Sequence, residues 1–330
     1  HEVDDCRGAL HVYSDGSIWR SSKPSFNVPV NDDGSILWKD VIFDDSLNLQ
    51  LRLYKLALSP SFTKLSIFYI NGGCFCIGSR TPNYQNYCFK LALELQVVVI
   101  SLDYRLALEN RLSAAIEDSF MALKWLQAQA ESERPDTWFT DVTDFGKLFI
   151  SGDLAGSNIA HNLAVRLGAG LLELAPVQVR GYVLLAPYFG RTVRTKFEAE
   201  GPKEAFLNME HTYKYCDFIF VYDKKNVARY WRLFVQVGDT TDHLIVNPFR
   251  PYSPSIDPVA LDPILVVVGG SHLLKGRADV YAKRLKTWGK KIEYVEFEGQ
   301  QHDFFTIDPN SDAAKELMLI INRFIDDYSC

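Results

Sequence analysis

Positive charge is in short supply in this chain: 35 Lys and Arg stand against 41 Asp and Glu over 330 residues, a formal net charge of −6. A nucleic-acid surface needs clustered cations to neutralise phosphates, and here the cations are spread along the sequence, so nucleic acid is excluded as a partner class. Long apolar runs are missing as well. Even the stretch LALELQVVVISLDY is broken by Glu94 and Gln96, short of the roughly 18 consecutive apolar residues of a spanning helix, and no membrane association is expected. The cysteines Cys6, Cys74, Cys76, Cys88, Cys216 and Cys330 include no C-x-x-C pair and are too sparse for a disulfide scaffold, which fits a reducing compartment. The opening HEVDDCRGAL is acidic, whereas a secretory signal is basic and then apolar, so the cytoplasm is the expected location, with the nucleus as an alternative. No internal repeat or low-complexity tract is visible.

What is present is a large apolar fraction, 47% of the chain, enough for one sizeable core, and a single domain over 1–330 is expected. The segments LWKDVIFD and LQLRLYKLAL alternate polar and apolar residues, the pattern of a half-buried edge hairpin. LSIFYI, QVVVIS, KLFIS, GYVLLAP and PILVVVG are short continuous apolar runs, as strands buried on both faces must be. Helical spacing marks AAIEDSFMALKWLQAQA, SNIAHNLAVRLGA (with a Ser or Asn capping signal), RADVYAKRLKTWG and AAKELMLIINRFIDDY. Strand and helix in alternation predict an α/β fold with a mostly parallel central sheet flanked by helices, whose ligands bind beyond the carboxyl ends of the strands. Two regions break the rhythm. Residues at about 190–255, rich in Tyr213, Tyr215, Phe218, Phe220, Tyr222, Tyr230 and Trp231, read as an inserted helical cap, and about 1–35 lack strong periodicity and read as a lid. Those aromatic residues either pack the cap or line an apolar pocket.

The chemistry concentrates in FISGDLAGSNIAHN, where an apolar strand passes through a turn framed by Gly152 and Gly156 into a helix. Together with FYINGGCF and VEFEGQQHDFF it resembles the plant carboxylesterases of the α/β-hydrolase superfamily. This is the hormone-sensitive-lipase-like group that also contains the gibberellin receptor, and the likeness is to its strigolactone-cleaving branch in particular. The resemblance extends through SLDYRLALENRLSAAIEDS and GYVLLAPYFG, and it implies an α/β-hydrolase fold. In that family a serine on a strained turn attacks an ester, a histidine relays its proton, an aspartate orients the histidine, and backbone amides hold the oxyanion. Carried over by position, Leu154 stands where the nucleophile belongs, His272 where the aspartate belongs, and His302 alone keeps its role. The oxyanion donors implied are the amides of Gly73, Cys74 and Ala155, with Asn71, Gly72 and Asp153 as substrate-binding positions. Leu108 and Ser113 replace family prolines, and Ser157 replaces a glycine, with its hydroxyl expected to point away from the reacting position.

A leucine cannot be activated by any base, so acyl-enzyme chemistry is excluded at this turn. His302 and His272 are candidate acid/base groups; beside each other, at least one must stay neutral. A metal site of His272, His302 and Asp303 matches no ligand pattern, and neither metal nor cofactor is expected. Asp153 as a displaced nucleophile is disfavoured because its side chain leaves the turn in another direction. Three functions remain: a non-hydrolytic cyclase, lyase or isomerase acting on a small apolar plant metabolite; a ligand receptor with a protein partner; or an eroded esterase with weak residual activity.

Overall fold

The computed structural model describes the chain except residues 6–9, 22–28, 59–65, 79–83, 140–142, 191–192, 194, 201–232, 236, 239, 241 and 251–254. Most of the cap expected at about 190–255, including all seven aromatic residues named for it, lies outside the described residues, as does part of the segment expected to be a lid.

An eight-stranded sheet in the order β11-β10-β9-β8-β6-β7-β5-β4 forms the centre. Its first two strands, β4 (Ile36–Asp44) and β5 (Leu49–Leu56), are the expected antiparallel edge hairpin. The remaining strands are β6 (Ser66–Ile70), β7 (Val98–Leu102), β8 (Leu148–Asp153), β9 (Val179–Leu185), β10 (Ile264–Gly269) and β11 (Ile292–Phe297). β6 through β11 pair in parallel. Strands β6, β7, β8 and β10 are buried at every position, which is why they carry unbroken apolar runs. The edge strand β11 is half-buried and alternates accordingly.

Side-chain alternation divides the interior into two cores. Phe68 and Ile70, with Ile150 and Val266, pack against the helices α2 (Ala114–Glu131), α3 (Ala155–Gly168) and α5 (Lys275–Thr287). Ile67 and Tyr69, with Phe149 and Val267, face the other side, towards α1 (Gln85–Glu94) and the C-terminal α7 (Asp312–Tyr328). Burial of Leu317, Met318, Ile321, Phe324 and Ile325 traces one stripe along α7, and its N-cap Ser311 accepts a hydrogen bond from the Ala314 amide, so both helix signals there are used. Two short helices, α4 (Lys196–Glu200) and α6 (Phe304–Ile307), complete the described set.

The structure departs from the sequence reading in two places. The N-terminal region is more regular than its weak periodicity implies: β1 (Glu2–Asp5), β2 (Leu10–Tyr13) and β3 (Ile18–Arg20) form a separate three-stranded sheet. Strands of three or four residues are too short to show a period, and the signal is instead the turn, where Asp15 accepts from the Ser17 amide and Gly16 takes φ 83°, a conformation suited to glycine. Helix α3 begins at Ala155 with Leu154 at its N-cap and no side-chain cap. The Ser and Asn read as a cap lie inside its first turn.

Strand β6 and helix α3 meet main chain to main chain. A Cβ at Gly156 would overlap the carbonyl oxygen of Ile70 and lie 3.0 Å from that of Asn71, and one at Gly152 would overlap the Gly156 backbone. Because neither neighbour is a flexible side chain, Gly156→Ala is expected to lower stability by about 3 kcal/mol. Chemical denaturation of the purified variant reads this directly; an unchanged midpoint would contradict the close approach.

Candidate functional site

The chain moves from β6 outward to β7 on one side, then returns to β8 on the other. This reversal is a topological switch point, where the loops beyond two adjacent strands diverge and leave a crevice. Both motif loops open there, since Ile70 pairs with Gly152 at the carboxyl ends of β6 and β8. Asn71 to Cys74 follow β6 and Leu154 follows β8, while His272 and His302 follow β10 and β11.

Leu154 adopts φ 48° and ψ −112°, a sparsely populated conformation that costs on the order of 1–3 kcal/mol in a residue with a Cβ. It is held by surrounding backbone: its amide donates to the Leu185 carbonyl at 2.9 Å, and its carbonyl accepts from the Tyr188 amide at 3.1 Å. The sharp strand-to-helix turn of a nucleophile elbow is therefore present with a buried hydrocarbon at its tip. Ser157 offers no replacement. Its hydroxyl, fully buried, is shared between the carbonyls of Gly152 at 2.6 Å and Leu185 at 2.8 Å.

The loop after β6 is equally constrained. Gly73, Cys74 and Phe75 all have positive φ, 103°, 52° and 62°, and a Cβ at Gly73 would overlap the Ile77 carbonyl. Tyr104 fixes it from below by donating its hydroxyl to the carbonyls of Asn71 at 3.0 Å and Gly72 at 2.9 Å. From above, Arg20 on β3 donates to the carbonyls of Cys76 and Ala107 and pairs with Glu109 at 2.5 Å. Among the described residues the amides of Gly73 and Ala155 make no hydrogen bond, so both remain available donors beside the elbow, Ala155 as the first residue of a helix. The Asn71 amide nitrogen donates to Gly72 at 3.2 Å, while its Oδ1 is buried without a hydrogen-bond partner among the described residues.

Gly72 and Asp153, both expected to touch substrate, are instead committed to each other. The Gly72 amide donates to the Asp153 carboxylate, and a Cβ on Gly72 would overlap that carboxylate. Strand alternation explains the direction: Asp153 shares a face with Phe149, on the α1 side, where Tyr69 donates to its Oδ1 at 2.6 Å and Tyr84 to its Oδ2 at 3.2 Å.

His272 and His302 do come together. Their ring centroids lie 4.5 Å apart with planes inclined at 32°, and both rings are buried. Burial holds the His302 imidazole down to about 3, and burial followed by the neighbouring ring holds His272 well below its ordinary value. Both are therefore neutral at physiological pH. Neither nitrogen of His272 has a hydrogen-bond partner among the described residues. From the sequence Asp303 reads only as a potential metal ligand, yet its Oδ2 lies 3.2 Å from Nε2 of His302. Burial pushes its carboxyl up to about 8. Tyr69, Tyr84 and Arg20 were missed altogether; an Asp beside each motif residue, in GDL and HDF, was the one available signal. Among the described residues no group of His, Cys, Asp and Glu could hold a metal ion, and no helix is long and apolar enough to cross a membrane.

A mostly parallel sheet, a strained elbow after β8, a glycine-rich amide loop after β6 and a histidine after the last strand define an α/β-hydrolase scaffold. The chain belongs to that family: the family model for the α/β-hydrolase fold matches residues 67–306. It is 29% identical over 327 residues to a 2-hydroxyisoflavanone dehydratase of Glycyrrhiza echinata, covering 96% of this chain and 94% of that protein. To a gibberellin receptor of Arabidopsis thaliana it is 31% identical over 302 residues, covering 87% and 80%. The solved structure of the esterase LipW from Mycobacterium marinum superposes with a TM-score of 0.71 at 20% identity, over 90% of this chain and 83% of that one, which speaks for the fold.

The neutral histidines set an acid limit. A histidine held neutral when folded, down to about 3 for His302, gains protons in the unfolded chain below its ordinary value of about 6.5, so stability is lost as pH falls through that value. Each such histidine costs about 2 kcal/mol at pH 5. Chemical denaturation at pH 7 and pH 5 is expected to show a smaller loss for His302→Gln than for the wild type; equal losses would mean that His302 is already charged in the folded state.

Proposed function

We propose that this protein is a carboxylesterase-like enzyme that has left ester hydrolysis, a lyase, isomerase or cyclase acting on a small apolar metabolite that bears a carbonyl group. One observation carries the reading: the elbow keeps its strained backbone at Leu154 while the atom that would justify the strain in a hydrolase is absent. Hydrocarbon at the tip removes the covalent route. The amides of Gly73, Cys74 and Ala155 then act as the oxyanion donors that polarise the substrate carbonyl, raising the acidity of its neighbouring C–H and stabilising the enolate that forms. His302, beside His272, moves the proton. A dehydratase among the relatives supports this, since loss of water next to a carbonyl needs the same donors and the same proton transfer. The plant setting of the metabolite rests on the plant relatives.

A second reading has an observation of its own. Arg20 ties the N-terminal sheet to the amide loop and to Glu109, which is how a segment closing over a bound ligand would be anchored, and a gibberellin receptor is among the relatives. In that case the site binds without converting, and the closed N-terminal segment meets a protein partner.

The test is incubation of plant extract with the native protein and with the Leu154→Ser, His272→Asp double variant, followed by untargeted mass spectrometry, alongside an activated aryl ester. The native protein is expected to give no burst with the ester and to form a product that the double variant does not. With that substrate in hand, His302→Ala should lower turnover by about 10²–10⁴. Full turnover in His302→Ala would remove the mechanism, and tight calorimetric binding without conversion would establish the receptor reading.

A further inference from the structure

The acid that orients the histidine in a hydrolase triad is replaced here by His272, and a second neutral ring cannot stabilise an imidazolium. A carboxyl group nevertheless reaches His302 from another direction. Asp303 takes φ 53°, a left-handed conformation that aspartate tolerates. Its carboxyl group is buried, and Oδ2 lies 3.2 Å from Nε2 of His302.

The surroundings of Asp303 differ sharply from those of Asp153. Asp153 accepts from the Tyr69 hydroxyl, the Tyr84 hydroxyl and the Gly72 amide. Neither oxygen of Asp303 accepts a hydrogen bond among the described residues. Burial first, and then the charge of Asp303, pushes the Asp153 carboxyl well above its ordinary value, so burial favours the proton on both groups and only the donors distinguish them; both carboxyl groups bear on the hydroxyls of Tyr84 and Tyr87. Two buried carboxylates within mutual reach do not both ionise. The anion belongs where the donors are, on Asp153; the proton belongs where a hydrogen-bond acceptor waits, on Asp303 facing a ring nitrogen.

We propose that Asp303 is the proton-holding acid of this site, donating to Nε2 of His302 and so making the His302–Asp303 pair a neutral two-way proton relay in place of the absent triad acid. With Nε2 accepting, His302 carries its own proton on Nδ1. When the Nδ1–H bond breaks to protonate a substrate oxygen, the proton of Asp303 passes to Nε2; the imidazole stays neutral, and Asp303 is left as a carboxylate beside the Asp153 anion, an unfavourable transient state that lasts only until a proton returns to Asp303. The reverse sequence takes a proton from substrate and returns one to Asp303. A buried pair that cannot afford an imidazolium acts in this way as either acid or base. The groups facing Asp303 are His302, with His272 behind it, Asp153 at the end of β8, and Tyr84 and Tyr87 at the start of α1. The use made of the proton rests on the non-hydrolytic reading above; the location of the proton does not, and it is tested without substrate.

Nitrogen-15 resonances of His302 in the substrate-free protein decide the point. The expected result at pH 7 is a neutral ring protonated at Nδ1. Asp303→Asn is expected to keep that tautomer, because the amide donates to Nε2 as the acid does, and Asp303→Leu to lose the preference. Infrared spectra should show a protonated-carboxyl carbonyl band at pH 6 that is missing in Asp303→Asn and fades in the wild type as pH rises through about 8. The stability slope follows with a definite sign. Asp303 binds its proton more tightly folded than unfolded, so its contribution is complete below about pH 4 and is lost as pH rises through its folded value. Between pH 6 and 8 the unfolding constant of the wild type should rise more steeply than that of Asp303→Asn, by up to tenfold per pH unit. A wild-type His302 that is an imidazolium, or that carries its proton on Nε2, would overturn the proposal, as would an infrared band unchanged by Asp303→Asn.

Discussion

The contact on which the site depends is made by backbone alone: the start of α3 lies directly against the last carbonyl of β6, with Gly156 admitting an approach that no Cβ permits. That one contact sets the elbow and the amide loop in register, because the residue after Ile70 opens the loop and the residue two before Gly156 is the tip of the elbow. Hydrogen bonds from Leu154 to Leu185 and from Tyr188 to Leu154 close the frame. Nothing in it involves a side chain at position 154, so the frame tolerates a change of residue there without relaxing. This explains how a hydrocarbon comes to occupy a backbone conformation otherwise associated with a reacting hydroxyl.

Burial then governs what the frame can do. Behind the elbow lie two buried imidazoles and two buried carboxyl groups. Water does not screen them, and charge survives only where donors converge. Asp153 has three donors, and they belong to the scaffold: Tyr69 on β6, Tyr84 ahead of α1, and the amide of Gly72. Its hydrogen bonds therefore tie the amide loop to the elbow and the α1 side of the sheet, a structural task. Burial holds both histidines neutral, whereas a serine hydrolase passes through an imidazolium braced by a carboxylate.

How much of this could be read in advance depends on the range of the interaction. Buried strands announce themselves by unbroken apolar runs, and α2, α5 and α7 by their period, since these patterns report burial along a single element. The elbow and amide loop were recognisable because glycines at fixed spacing mark main-chain approaches. The N-terminal sheet was not, because β1 to β3 are too short for a period to develop. The cap on α3 was misplaced because a strained N-cap replaces the usual Ser or Asn. Site residues on separate loops fared unevenly: His272 and His302 were paired through a motif, but the destination of Asp303 depends on one left-handed backbone angle, and that of Asp153 on which face of β8 it occupies. Neither is a property of local composition. Arg20 reaches the site from 56 residues away in sequence, beyond any pattern.

On the non-hydrolytic reading proposed above, Leu154, His272 and Asp303 fit together as one set. A serine at the elbow beside a neutral histidine would have no acid to stabilise the charged ring, and a reactive carbonyl bound under the amide donors would risk covalent capture. On that reading, hydrocarbon at the tip removes that branch and would dry the space beside the amide donors, strengthening their hold on a substrate carbonyl. A dry site in turn penalises any imidazolium, the penalty that the proton proposed for Asp303 would circumvent. On that reading, Leu154 at the elbow, His272 beside His302 and Asp303 facing the far nitrogen of His302 share one cause, a buried site that penalises charge.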